Sequence, residues 1–265
     1  MNESNEPVPP VEQPSGTNFV FGPWPVTSPP APTTTPEIDP NNPPWGLLAA
    51  FLIWLASIVL LIGMAIVFLI PYAAMKAGTV SREELSHFLV TDKTAVLLTI
   101  ISAIPAHLLT LGIIWAVVTR FGKRPFWRTL GWTRGKGFGF WASAGLAAGL
   151  YIFSILMIYL FSQQETETAL GKLIGSSREA ALAIAFMAVV TAPLTEELVY
   201  RGVLYSALQK VGGRVWAIVG VMVLFTLIHV PQYWPNYGVI GAICLLSISL
   251  TLVRAYTGRL LPCFI

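Results

Sequence analysis

Charge is what this sequence has least of. Only 11% of its 265 residues are Asp, Glu, Lys or Arg, against about a quarter in soluble domains, which excludes an ordinary water-soluble globule. Cysteine is nearly absent: Cys244 and Cys263 both lie in apolar stretches, without a CxxC pair or a Cys/His cluster. That argues against a disulfide framework and against a structural zinc site. The first 44 residues contain no Lys or Arg, and Met1 is followed by a polar, Pro-rich stretch rather than a basic residue and an apolar core. No cleavable signal peptide is therefore expected, and the first spanning helix is left to act as the targeting signal. The HExxH pattern of zinc proteases is missing as well.

Apolar residues fill the space. They make up 55% of the chain, and the mean hydropathy is +0.69, so lipid is the expected solvent. The net charge is +3, but residues 1 to 44 hold five acidic side chains, which leaves +8 on the remainder. These basic residues sit in short loops between apolar runs, the pattern of a membrane protein's flank rather than of a nucleic-acid footprint.

Residues 1–44 hold 13 of the 20 prolines and cannot bury enough apolar surface to offset their ordering entropy, so they read as a disordered tail. Phe19, Phe21 and Trp24 would be its sticky points. From Trp45 the character changes. Gly46 to Ile70 is an uncharged run longer than the roughly 20 residues that cross a bilayer. Thr94 to Val118 predicts a second span, Phe138 to Phe161 a third, a run from Ala180 a fourth, Val215 to Val230 a fifth and Val239 to Val253 a sixth. Leu260 to Ile265 opens a seventh, and the sequence ends before completing it. The expected fold class is an all-α, polytopic transmembrane helix bundle with three parts: the tail 1–44, two N-terminal helices and a basic loop over 45–137, and a core over 138–265. Six basic residues, Arg120, Lys123, Arg124, Arg128, Arg134 and Lys136, crowd the loop between the second and third spans, which places that loop and the tail in the cytoplasm. Alternation brings Lys210–Arg214 and Arg254–Arg259 to the same side.

The fourth run is unusual because it passes through charged residues, TEELVYRGVLYSALQ, before Gly212 and Gly213 break it. Ionisable groups inside a span cost several kcal/mol unless paired or hydrated, so they mark a functional site by default. Glu197 and Arg201 are four apart and stack on one helical face, with Glu196 and Tyr200 stacked beside them. A Glu197–Arg201 pair would leave Glu196 the less compensated carboxylate. His229 stands about as far after the Gly-Gly turn as the two glutamates stand before it, so antiparallel helices bring them to one depth. Phe225, one turn before His229, supplies an apolar wall. A carboxylate facing a histidine in a water-poor cavity suits general-base activation of water, hence hydrolysis. Zinc binding normally takes three protein ligands, and only two helices offer candidates. The plainer alternative is a salt bridge that joins two spans beside a satisfied core histidine.

TEELVYRGVLY resembles the EExxxR motif, and FTLIH the FxxxH motif, of the CAAX-protease and bacteriocin-processing family of intramembrane endopeptidases, which includes the Ras-converting CAAX endopeptidase. The resemblance covers roughly residues 138 to 265. It implies peptide-bond cleavage within an all-helical membrane domain. Glu196 and His229 would activate water, and Glu197 and Arg201 would support the geometry, giving a catalytic set of Glu196, Glu197, Arg201 and His229 with Phe225 and Tyr200 in the substrate pocket. Family members carry a further His or Asn on the last helix, proposed to stabilise the oxyanion. TGRLLPCFI resembles the lead-in to that helix, and the sequence ends before such a residue. The family has been described as both metal-dependent and metal-free. The residues present favour no cofactor, with zinc as the alternative. The implied partners are membrane lipid and a prenylated or membrane-associated peptide, with no nucleic acid, and tail composition and small size lean toward a bacterial inner membrane. Two other classes compete: an inactive membrane scaffold or bacteriocin self-immunity protein, and a proton-coupled transporter, although no inverted repeat is visible.

Other candidates read as structural. His107, two residues after Pro105, could satisfy the carbonyl that the proline leaves free. His87 with Arg82, Glu83 and Glu84, and Glu165, Glu167, Lys172 and Arg178, belong to polar connectors. Tyr233, Trp234 and Tyr237 form an interfacial belt or a substrate entry, and Trp127 and Trp132 among the loop cations suggest a headgroup-binding surface.

Overall fold

The computed structural model describes residues 38–76, 81, 88, 91–135, 137–161 and 169–265. Most of the tail, the connectors holding His87, Arg82, Glu83, Glu84, Glu165 and Glu167, Lys136 and the Lys172 side chain lie outside the described residues. The chain is an all-α, polytopic membrane bundle. Its long helices are α1 (Leu47–Lys76), α2 (Lys93–Thr119) and α4 (Phe140–Phe161), with a short α3 (Phe126–Thr129) in the basic loop. After α5 (Ala169–Ser176), a nearly continuous rod runs through α6 (Arg178–Phe186), a first π-helical segment (Met187–Thr191), α7 (Ala192–Glu196), a second π segment (Glu197–Leu204) and α8 (Tyr205–Tyr233). Then come α9 (Tyr237–Thr257) and the single turn α10 (Leu261–Phe264).

Five of these stretches are long and apolar enough to cross a membrane, and the one from Arg178 to Tyr233 counts 56 residues. That length is more than twice what one crossing needs. The rod folds back at Gly213, whose φ of 80° is left-handed and favours glycine. Leu208 lies against Gly220 across the fold, and Tyr200 meets Phe225, so the two arms are antiparallel. With the hairpin counted as two arms, the described residues offer six candidate crossings.

The elements begin and end for local reasons. The Asp92 carboxylate caps α2 by accepting from the backbone N–H of Thr94 and Ala95. Ser177 caps α6 through Ala180 N–H, and Gly258, at φ 66°, closes α9. The helices α1 and α4 are apolar all round and bury few residues, consistent with lipid-facing positions. The core lies instead around the second π segment, where every residue from Glu197 to Leu204 is buried. Trp45, Ile53 and Trp54 of the first helical region, Ile114 and Val118 of α2, and Val221 and Phe225 of α8 close on it.

One end of the bundle gathers the basic loops. Arg120 donates to Pro44 O at 3.3 Å, Lys210 to Pro43 O at 3.0 Å, and Arg254 to Pro40 O at 3.3 Å and Asn41 Oδ1 at 2.8 Å. Arg259 donates to Phe138 O at 3.1 Å, and Leu260 N–H to Gly131 O. Pro40, Asn41, Pro43 and Pro44, at the end of the Pro-rich stretch, thus have defined partners. Trp234 and Tyr237 are exposed and meet edge to face, as an interfacial belt would.

Candidate active site

From Glu197 on, the EELVYR stretch is wound as a π-helix rather than as the α-helix the spacing predicts. Its hydrogen bonds skip five residues: Ala192 N–H reaches Met187 O, and Tyr205 N–H reaches Tyr200 O. Pro193, between the two segments, has no N–H to contribute to a regular ladder. Single π turns inside α-helices recur at functional sites because they re-aim side chains. Here they widen the rod where Glu196, Glu197 and Arg201 project.

Glu197 and Arg201 are both buried, and the Arg201 guanidinium donates to Glu197 Oε1 at 2.9 Å. Arg201 is wholly enclosed and shares its other donors with α9: Ser247 O at 3.3 Å, Ser247 Oγ at 3.4 Å and Thr251 Oγ1 at 3.4 Å. Its carbonyl accepts from Arg254 Nε at 3.2 Å. The guanidinium also lies 4.6 Å over the Phe225 ring. Arg201 is therefore the joint between the π segment, α8 and α9. Gly202 lets the loops in: a Cβ there would meet Leu130 at 3.1 Å and Leu260 at 3.4 Å.

Glu196 is in a different situation. It is half-buried, and among the described residues its carboxylate has no hydrogen-bond or ion-pair partner. It lines a cavity of about 50 Å³ together with Ser57, His107, Thr110, Tyr200 and Ile228. That volume holds roughly one to three waters. Ile228, the neighbour of His229, reaches this cavity, so the two arms of the hairpin do bring Glu196 and His229 to one level. The His229 ring itself packs against Phe225, centroids 4.6 Å apart, and no direct bond joins it to Glu196. Its Nδ1 lies 2.7 Å from Phe225 O. A carbonyl only accepts, so Nδ1 carries the hydrogen and Nε2 of the neutral ring is an acceptor.

Phe225 is buried, not an open pocket wall; it is the platform between Arg201, Tyr200 and His229. Tyr200 lines the cavity and takes a hydrogen bond from Trp54 Nε1 at 3.0 Å. His107 does not satisfy the carbonyl freed by Pro105. Its Nδ1 meets Thr191 Oγ1 at 3.0 Å, across the gap to the first π segment. Ser247, Thr251 and Arg254 were not singled out by the sequence reading. The pair Ser247 and Thr251, one turn apart on a single face of an apolar helix, was the available signal for them.

Residues 178–265 match the family described as Rce1-like, type II CAAX prenyl endopeptidase. The match covers about the last third of the chain. Its first residue, Arg178, is the first of α6, directly after the Ser177 cap, so α4 precedes the match. No curated protein and no solved structure matches the chain. The description of that family names a CAAX prenyl endopeptidase. Among the described residues no three His, Cys, Asp or Glu side chains gather as metal ligands.

Proposed function

We propose that the protein is an intramembrane endopeptidase that hydrolyses a peptide bond of a CAAX-type lipidated or membrane-embedded peptide, with Glu196 as the general base. The supporting observation is the contrast between neighbouring carboxylates: Glu197 is committed to Arg201, while Glu196 has no protein partner among the described residues and lines a water-sized cavity. Water held there loses a proton to Glu196 as its oxygen bonds to the scissile carbonyl carbon. The tetrahedral intermediate then collapses, the C–N bond breaks, and the proton passes from Glu196 to the leaving amine. His229, an acceptor at Nε2, orients the attacking water. Arg201, Glu197 and Phe225 hold the two arms in register. Tail composition supports placement in a bacterial inner membrane.

The test is cleavage of prenylated and unmodified membrane peptides by purified full-length protein, beside Glu196→Gln and His229→Ala, each with and without a chelator. Loss of cleavage in both variants, with none caused by the chelator, is the expected result. Cleavage indifferent to both substitutions removes this site. Biological activity that survives Glu196→Gln without any cleavage favours the scaffold or self-immunity alternative.

A further inference from the structure

The cavity at Glu196 has a second titratable side chain that the mechanism above does not use. His107 comes from α2, outside the segment that matches the Rce1-like family, and it is buried. It lines the same cavity as Glu196, and its Nδ1 is taken up by Thr191 Oγ1 at 3.0 Å. Among the described residues no partner meets its Nε2.

The direction of the Thr191 bond follows from its neighbours. Thr99, Thr110, Thr119, Thr195, Thr251 and Thr257 each donate their hydroxyl hydrogen to the carbonyl four residues back. Thr191 makes no such bond. Its counterpart carbonyl, Met187 O, already receives Ala192 N–H in the π winding. The only acceptor the described residues offer the Thr191 hydroxyl hydrogen is His107 Nδ1. A neutral imidazole that accepts at Nδ1 carries its hydrogen on Nε2. The two histidines near Glu196 are thus set to opposite tautomers: His229 with an acceptor at Nε2, His107 with a donor there.

We propose that His107, fixed by Thr191, is a positioning residue whose Nε2–H holds water on the Glu196 carboxylate. An unpaired carboxylate at a narrow cavity needs a donor to keep its water in one orientation. The remaining cavity walls offer Ser57, Thr110, Thr195 and the Tyr200 hydroxyl. Ser57, Thr110 and Thr195 spend their hydrogens on helix carbonyls. The donors left at this wall are His107 and the Tyr200 hydroxyl, which accepts from Trp54 and keeps its own hydrogen, and His107 is the nitrogen donor of the two. This assignment rests on Glu196 as the base, yet it has a readout that does not need proteolysis.

The chain has three histidines, so nitrogen-15 labelling of histidine in the full-length protein gives a spectrum assignable with single variants. At about pH 8, where an ordinary imidazole is neutral, the expected result is an Nε2–H tautomer for His107. Its Nε2 signal shifts in Glu196→Gln, and the tautomer preference is lost in Thr191→Val. A hydrogen on Nδ1, or an Nε2 signal indifferent to Glu196→Gln, overturns the proposal whether or not the protein cleaves peptides. With cleavage in hand, His107→Phe is expected to lower kcat about 10- to 100-fold with KM within about twofold, and His107→Gln, which keeps an N–H donor, to recover most of that loss. Equal loss in His107→Phe and His107→Gln would make His107 a packing residue, and the proposal would fall.

Discussion

Arg201 lies 4.6 Å over the ring of Phe225, while its opposite connections run to Glu197 on its own helix and to Ser247 and Thr251 on α9. One fully buried cation thus ties three transmembrane segments together. A planar guanidinium can stack and donate in several directions at once, and a lysine ammonium cannot do both.

Arg201→Lys is therefore expected to lose about 2 kcal/mol of stability, the scale of a hydrogen bond to a charged group. Thermal unfolding in detergent micelles measures it. An unchanged midpoint would mean that the α9 contacts contribute little.

The two adjacent glutamates should separate function from stability. Glu197→Gln leaves Arg201 without its counter-charge and is expected to cost about 2 kcal/mol or more. Glu196→Gln removes no protein partner and is expected to stay within about 0.5 kcal/mol while abolishing cleavage. Unfolding curves of both variants, read beside peptide cleavage, check the contrast.

Gly202→Val should destabilise for a steric reason, because the first added carbon already meets Leu130 and Leu260 at 3.1 and 3.4 Å. Overpacking of this kind costs about 1–3 kcal/mol. Gly63→Val, at a position with nothing within 4 Å, serves as the control, and equal effects of the two would refute the crowding.

Asp92 gives a pH dependence outside the spans. Partial burial works to raise its pKa, but the N–H groups of Ala95 and Thr94 and the Tyr72 hydroxyl outweigh it, holding the carboxyl below its ordinary value. The folded state therefore favours the carboxylate. Its contribution is complete above the ordinary carboxylate pKa and is lost as pH falls through the lower folded value. Asp92→Ala is expected to cost about 1 kcal/mol near neutrality and nothing in strong acid, where both proteins have lost the cap. Unfolding midpoints across that range are the measurement, and a pH-independent difference would contradict the cap's role.

The spans were legible because run length alone marks a crossing: Gly46–Ile70 became Leu47–Lys76, and Thr94–Val118 became Lys93–Thr119. The hairpin was legible too, since Gly212 and Gly213 interrupt an otherwise helical stretch. Facing was harder to read. Helices apolar on every side carry no stripe to say which residue turns inward, so nothing in α2 announced that His107 would reach Thr191. The π winding was equally hidden, because EELVYRG satisfies α spacing for Glu197 and Arg201 whichever ladder the backbone adopts. Arg254 read as a loop cation at a membrane edge, yet it is buried with its donors on the Arg201, Pro40 and Asn41 oxygens.

A π turn stores one residue more than the α turn it replaces. Deleting a single residue between Glu197 and Leu204 could be absorbed by rewinding one wide turn to α, and both flanks would nearly keep their phase because the wide turn packs its extra residue into one rotation. Glu196 would keep its place at the cavity, while the side chains inside the rewound turn would be re-aimed. The second π segment is in this sense a local re-aiming device, setting where Glu197 and Arg201 point without disturbing the arms on either side.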